Sequence, residues 1–110
     1  MLTEIYSELR ALGVTAKYIG FFQVSYAVFL ALERPDSLLL VTKWLYPDVA
    51  KQYRTTPAAV ERNIRKVVDL VWDGAPETLE QLAHHKLTRK PTASQFISIL
   101  ACGITSGHAA

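Results

Sequence analysis

The sequence is poor in the features that would place it in several large classes of protein. Its single cysteine, Cys102, excludes a disulfide within the chain. Its longest apolar stretch, from Ile19 to Leu32, is broken by polar residues and is shorter than the roughly 20 residues that cross a bilayer. The first residues show no charged and apolar pattern of a secretory leader. We therefore expect a cytoplasmic protein that does not enter the membrane.

Patterns that carry catalysis or hold a cofactor are also missing. The sequence has no glycine-rich phosphate loop, no Ser/His/Asp constellation and no paired carboxylate site. His84 and His85 are adjacent, so on a helix they would point to different sides, unlike a zinc-binding pair four residues apart. We expect no enzyme activity, no metal site and no cofactor.

Length and composition favour one compact domain. The chain has 110 residues, half of them apolar, which is enough for a single core. The net charge of +2 and the isoelectric point near 8.8 are only mildly basic, so composition alone does not indicate a nucleic-acid partner.

Apolar residues recur with helical spacing along most of the chain, and no strand pattern or internal repeat appears. The pattern predicts an all-α, compact bundle of about six or seven helices over residues 1–102, followed by a flexible tail over residues 103–110. Outside the central stretch, the predicted helices are Thr3–Leu12, Thr15–Glu33, Leu38–Tyr46, one from Pro76 through Leu82, and one that begins at Thr92.

The central stretch, Lys43–Lys66, has the layout of a helix-turn-helix. Pro47 suits the first turn of a short helix, and Thr56 can cap a second helix that Pro57 opens. The second helix repeats apolar residues at the spacing of one helical face. These residues are Val60, Ile64, Val67, Val68 and Val71.

Positive charge is concentrated on this stretch. It contains six basic and two acidic residues, a net charge of +4, so the remainder of the chain sums to −2. The polar face of the second helix carries Glu61, Arg62, Arg65 and Lys66. A basic face on the second helix is typical of a protein that binds a polyanion such as double-stranded DNA.

Three motifs in the sequence also resemble a known family. They are Leu-Tyr-Pro-Asp-Val-Ala-Lys at 45–51, Val-Glu-Arg-Asn-Ile-Arg at 60–65 and Lys-Pro-Thr-Ala-Ser-Gln-Phe-Ile at 90–97. From about Thr3 to Leu100 the chain is similar to the DNA-binding effector domain of the sporulation stage-zero-A response regulators. The resemblance implies transcription regulation through TGTCGAA-like boxes in double-stranded DNA. It also implies contact with RNA polymerase, and a head-to-tail dimer where two boxes lie in tandem.

The resemblance and the helix-turn-helix layout together assign DNA contacts to individual residues. Arg62 is the best donor to guanine, and Glu61 can accept from cytosine N4. Ala59 stands where the family commonly has a basic residue. Its methyl group could touch a thymine but cannot donate to a base, so the exact DNA sequence of the box stays open. The predicted base-reading residues are Ala59, Glu61, Arg62 and Arg65. The predicted DNA-backbone residues are Lys43, Lys51, Thr55, Thr56, Lys66, Lys90 and Thr92.

Two alternatives stay open at this point. Glu61 and Arg65 are four residues apart, so they could form an ordinary ion pair on a helix surface.

The family usually carries a phosphorylatable receiver domain ahead of this module, and no receiver pattern precedes it here. The chain is then either an excised effector domain or a receiver-less relative. A receiver-less relative could act as a protein-interaction module, or antagonist, that has lost specific DNA readout.

Overall fold

The computed structural model describes the backbone of residues 2–109 and the side chains of residues 2–105. Six α-helices and no strand lie within this part of the chain, which confirms the all-α prediction. The helices are α1 (Leu2–Ala11), α2 (Ile19–Glu33), α3 (Tyr46–Gln52), α4 (Pro57–Gly74), α5 (Pro76–Ala83) and α6 (Ala93–Ala109). The last of them continues past Cys102 into the segment that the sequence analysis assigns to the tail.

Helix α2 is the central element of the fold. It packs against α1, α3, α4 and α6, and its residues Phe21, Val24 and Val28 are completely or almost completely buried. Its start is later than predicted. Residues 15–18 form a turn in which Tyr18 N–H donates to the Thr15 carbonyl, so Thr15 does not cap the helix.

The contact between α2 and α4 holds the second helix of the central stretch in place. Gly20, near the start of α2, lets the α4 backbone approach so closely that a Cβ on Gly20 would lie 2.8 Å from the Asn63 carbonyl oxygen. One turn further on, Asn63 Nδ2 donates to Gln23 Oε1 at 3.1 Å. The side of α4 opposite its polar face is therefore held by close backbone packing and by a partly buried hydrogen bond.

The prediction of a regular helix over Leu38–Tyr46 is wrong. A 3₁₀-helix (Pro35–Leu39) and a π-helix (Val41–Leu45) occupy the region, separated by Leu40 in a non-helical conformation. Proline removes a backbone donor and its ring crowds the carbonyl four residues earlier, so Pro47 disfavours a regular α-helical turn before it. The leucines consequently do not all face inward, and Leu39 is 82% exposed.

None of the helices in residues 2–109 combines the length and the apolar content needed to cross a bilayer.

Candidate nucleic-acid interface

The first helix of the central stretch, α3, ends in a tight turn. Arg54 adopts the left-handed conformation, with φ of 55°. Thr55 N–H donates to the Ala50 carbonyl at 2.9 Å, and Arg54 N–H donates to the Lys51 carbonyl at 3.4 Å. This pair of bonds is the Schellman arrangement, which closes a helix end and reverses the chain. The turn between the two helices of the predicted helix-turn-helix is therefore present.

The second helix, α4, begins and packs as the sequence predicts. Thr56 Oγ1 accepts a hydrogen bond from Ala59 N–H at 3.1 Å, and Pro57 occupies the first turn, where no N–H is needed. All five apolar residues of the predicted buried face are at most 2% exposed: Val60, Ile64, Val67, Val68 and Val71. The polar face of α4 is consequently turned away from the core.

Arginines and one half-buried acid lie on that outer face. Arg62, Arg65 and Lys66 are exposed, while the Glu61 side chain retains 38% of its accessibility. Arg65 Nη2 forms an ion pair with Glu61 Oε1, at a distance of 3.1 Å. The ion pair predicted from the four-residue spacing is thus present, and both of its members belong to the predicted base-reading set.

A groove runs between the outer face of α4 and the start of α6. Its volume is about 830 Å³, and its wall includes Glu61, Arg62, Arg65, Lys66, Lys90 and Thr92. Six of the predicted contact residues therefore meet at one surface, although four come from α4 and two from the segment just before α6, which is distant in sequence. The other five are not part of the wall: Lys43, Lys51, Thr55 and Thr56 are exposed, and Ala59 is partly exposed.

The α6 side of the groove is held by local hydrogen bonds. Thr92 Oγ1 accepts from Gln95 N–H at 3.2 Å, and Gln95 Oε1 accepts from Thr92 N–H at 2.9 Å. This reciprocal capping fixes the start of the helix. Lys90 Nζ donates to Asp69 Oδ1 on α4, which ties the two sides of the groove together. The residues are 21 apart in sequence, so local spacing does not predict this pairing.

Tyr46 lines the groove although it is not among the predicted DNA contacts. It is 3% exposed, yet it lines the groove together with Glu61 and Arg65. Burial, and then the Glu61 carboxylate, raise the pKa of Tyr46 to about 12, while Arg65 acts in the opposite direction. The sequence offers one weak signal for the place of Tyr46 in the groove: a polar hydroxyl beside Pro47, where a helix begins.

The other candidate reactive groups are solvated. Cys102 is exposed. His84 and His85 are exposed as well, and His84 ends α5 in the left-handed conformation with φ of 63°. Among the residues that the structure describes, no three histidine, cysteine or acidic side chains form a group that could hold a metal ion.

A short helix, a Schellman turn and a second helix with a buried apolar face and a basic outer face define the class of the protein: a helix-turn-helix domain. Residues 5–104 match the family model described as sporulation initiation factor Spo0A C terminal. The match covers nearly the whole chain, so the chain belongs to this family. Its members are DNA-binding effector domains that regulate transcription in sporulation, and it is not a family of enzymes.

Proposed function

We propose that this chain reads a TGTCGAA-like box in double-stranded DNA and regulates transcription from that site. The observation that carries the proposal is the outer face of α4, where Arg62, Arg65 and Lys66 are exposed while the opposite face is fixed in the core. A rigid helix that presents planar guanidinium groups suits the major groove, which has the width to admit one helix.

The base contacts are assigned by chemistry. Arg62 is fully available to donate two hydrogen bonds to guanine O6 and N7. Glu61 can accept from cytosine N4, and Arg65, one turn beyond, reaches a base or the next phosphate. Ala59 offers only a methyl group, which can touch thymine. With one donor fewer at the start of α4, Arg62 carries a larger share of the sequence preference.

The proposed DNA-backbone contacts surround the base-contacting residues of α4. Lys66 and Lys90 line the groove itself, whereas Lys43, Lys51 and Thr55 are exposed outside it. The hydroxyl oxygens of Thr56 and Thr92 accept hydrogen bonds as helix caps. The hydroxyl hydrogen of Thr56 can still be donated to a phosphate oxygen, so capping and DNA contact are compatible there. Thr92 Oγ1 also lies 3.3 Å from Ser94 Oγ, so the Thr92 hydroxyl would contact a phosphate by exchanging that partner.

The remaining assignments follow from the family and belong to the same proposal. Residues 1–102 would form the DNA-binding unit, and two copies would bind tandem boxes head to tail. RNA polymerase would be the protein partner of the bound domain. The site of action would be the cytoplasm.

A fluorescence anisotropy titration tests the proposal. A labelled duplex containing the box and a scrambled duplex of the same composition are titrated over a range of salt concentrations. The box should bind more tightly, and log K should fall against log salt with a slope near −4 to −5, as expected for about five phosphate contacts. Equal and weak binding to both duplexes would contradict the proposal.

A second function competes with this one and has its own support. Ala59 removes one possible base donor from the start of α4. Several large apolar side chains are also exposed, including Ile19 at 72% and Leu39 at 82%. Exposed apolar side chains favour contact with another protein. The chain would then be an interaction module or antagonist that keeps the fold without specific readout. Equal binding to the two duplexes is the result that would favour it.

A further inference from the structure

Tyr46 occupies a fixed position beneath the polar face of α4. It is the first residue of α3, and its backbone N–H donates to the Val41 carbonyl, which closes the π-helix before it. Its side chain lines the 830 Å³ groove and also a neighbouring cavity of about 320 Å³. Glu61 and Arg65 line both cavities too, so the three side chains share one region of the surface.

The Glu61 carboxylate needs a second partner when DNA binds. In the free domain it forms an ion pair with Arg65, whose side chain is 63% exposed, against 38% for Glu61. When Arg65 turns to a base or phosphate, Glu61 loses its cation at a half-buried position that then faces a polyanion. A hydrogen-bond donor from the protein would then stabilise the carboxylate in place of Arg65.

We propose that Tyr46 is a positioning residue, whose hydroxyl donates to the Glu61 carboxylate when Arg65 engages DNA. The inference rests on the proposed DNA-binding function and extends it. One carboxylate oxygen would accept from Tyr46, and the other would face the cytosine N4 donor. Tyr46 would thereby fix the orientation in which Glu61 reads its base pair.

The electrostatics of the site support this role. A phenol with a pKa of about 12 stays protonated at neutral pH, so it remains a donor. Glu61 and Arg65 both act on that pKa, which shows that the charges of the pair lie within electrostatic reach of the hydroxyl. Within side chains 2–105, the structure gives the Tyr46 hydroxyl no hydrogen bond of its own. The donor is therefore available in the free domain.

A double-mutant cycle tests the inference. Tyr46→Phe, Glu61→Ala and the double variant are titrated with the box duplex and with the scrambled duplex. Tyr46→Phe should lower the affinity for the box about tenfold, the effect of one hydrogen bond to a charged group, and should leave the scrambled duplex unaffected. In the Glu61→Ala background the same change should have almost no effect.

A matched control separates this role from general packing. Tyr53→Phe removes a hydroxyl that donates to the Phe22 carbonyl, outside both cavities, and should not change the preference for the box. An unchanged box affinity in Tyr46→Phe, or an equal loss in both Glu61 backgrounds, would overturn the inference. A wild-type domain that binds both duplexes equally would instead refute the proposed function, and the inference would fall with it.

Discussion

Gly20 in α2 lies directly against the backbone carbonyl of Asn63 in α4. A Cβ at this position would lie 2.8 Å from that oxygen and 2.4 Å from Val67 Cγ2. Because a backbone oxygen cannot move aside as a side-chain end can, any larger residue must displace one of the two helices. The position of the proposed reading helix therefore depends on a residue without a side chain.

Gly20→Ala should lower the free energy of unfolding by about 1–3 kcal/mol, the usual cost of overpacking. Urea denaturation measures this change. Gly74→Ala is the matched control, since Gly74 is also helical and a Cβ there meets nothing within 4 Å. It should be neutral or stabilising by about 0.5–1 kcal/mol. A Gly20→Ala variant as stable as the wild type would show that the helices can separate at little cost.

Arg54→Gly should stabilise the domain. The residue has φ of 55°, a conformation that costs a side-chain-bearing residue about 1 kcal/mol relative to glycine. Thermal unfolding should therefore show a higher midpoint for Arg54→Gly. Arg54→Ala removes the same charge but keeps a Cβ, so it should show no such gain. Equal stabilisation by both variants would assign the effect to charge and not to the backbone.

Stability should fall at high pH because of Tyr46. Its pKa is about 12 in the folded protein and 10.0 as the ordinary value, so the unfolded chain loses the proton first as the pH rises. The loss of folding stability begins near pH 10, is complete near pH 12, and amounts to at most about 3 kcal/mol.

Urea unfolding across this pH range, compared between the wild type and Tyr46→Phe, checks the assignment to Tyr46. The decline should be shallower in the variant. It should not vanish, since burial also raises the pKa of Tyr53. Identical slopes in the two proteins would contradict the assignment.

Asp69→Asn should strengthen binding to any duplex. Asp69 lines the groove and forms an ion pair with Lys90. Its negative charge repels phosphates, and the ion pair keeps the Lys90 ammonium group from binding them. The gain should be roughly twofold to fivefold, the scale of one screened surface charge. Asp73→Asn makes the same change of charge on α4 outside the groove wall and should have a smaller effect. An equal gain from both variants would indicate net charge alone.

The sequence predicts those parts of the fold that depend on local periodicity and capping. Val60, Ile64 and Val67 repeat at helical spacing, and Thr56 and Pro57 mark where α4 begins, so this helix could be placed correctly. The segment between Pro35 and Pro47 could not, because its apolar spacing predicts one regular helix, whereas it forms a 3₁₀-helix and a π-helix separated by the non-helical Leu40.

The groove itself was only partly predictable. Charge and the family motifs predict Arg62 and Lys90 as contact residues, but nothing local shows that α6 lies beside α4. The ion pair between Lys90 and Asp69, and the place of Tyr46 under Glu61, arise from tertiary packing. Such contacts between distant residues leave no periodic signal in a single sequence.

The most direct measurement is the ratio of affinities for the box and the scrambled duplex in Arg62→Ala and Lys51→Ala at one salt concentration. Arg62→Ala should reduce this ratio, with a loss of about 1–3 kcal/mol on the box alone. Lys51→Ala should weaken both duplexes alike and leave the ratio unchanged. If Arg62→Ala keeps the wild-type ratio, the outer face of α4 does not read the DNA sequence through Arg62.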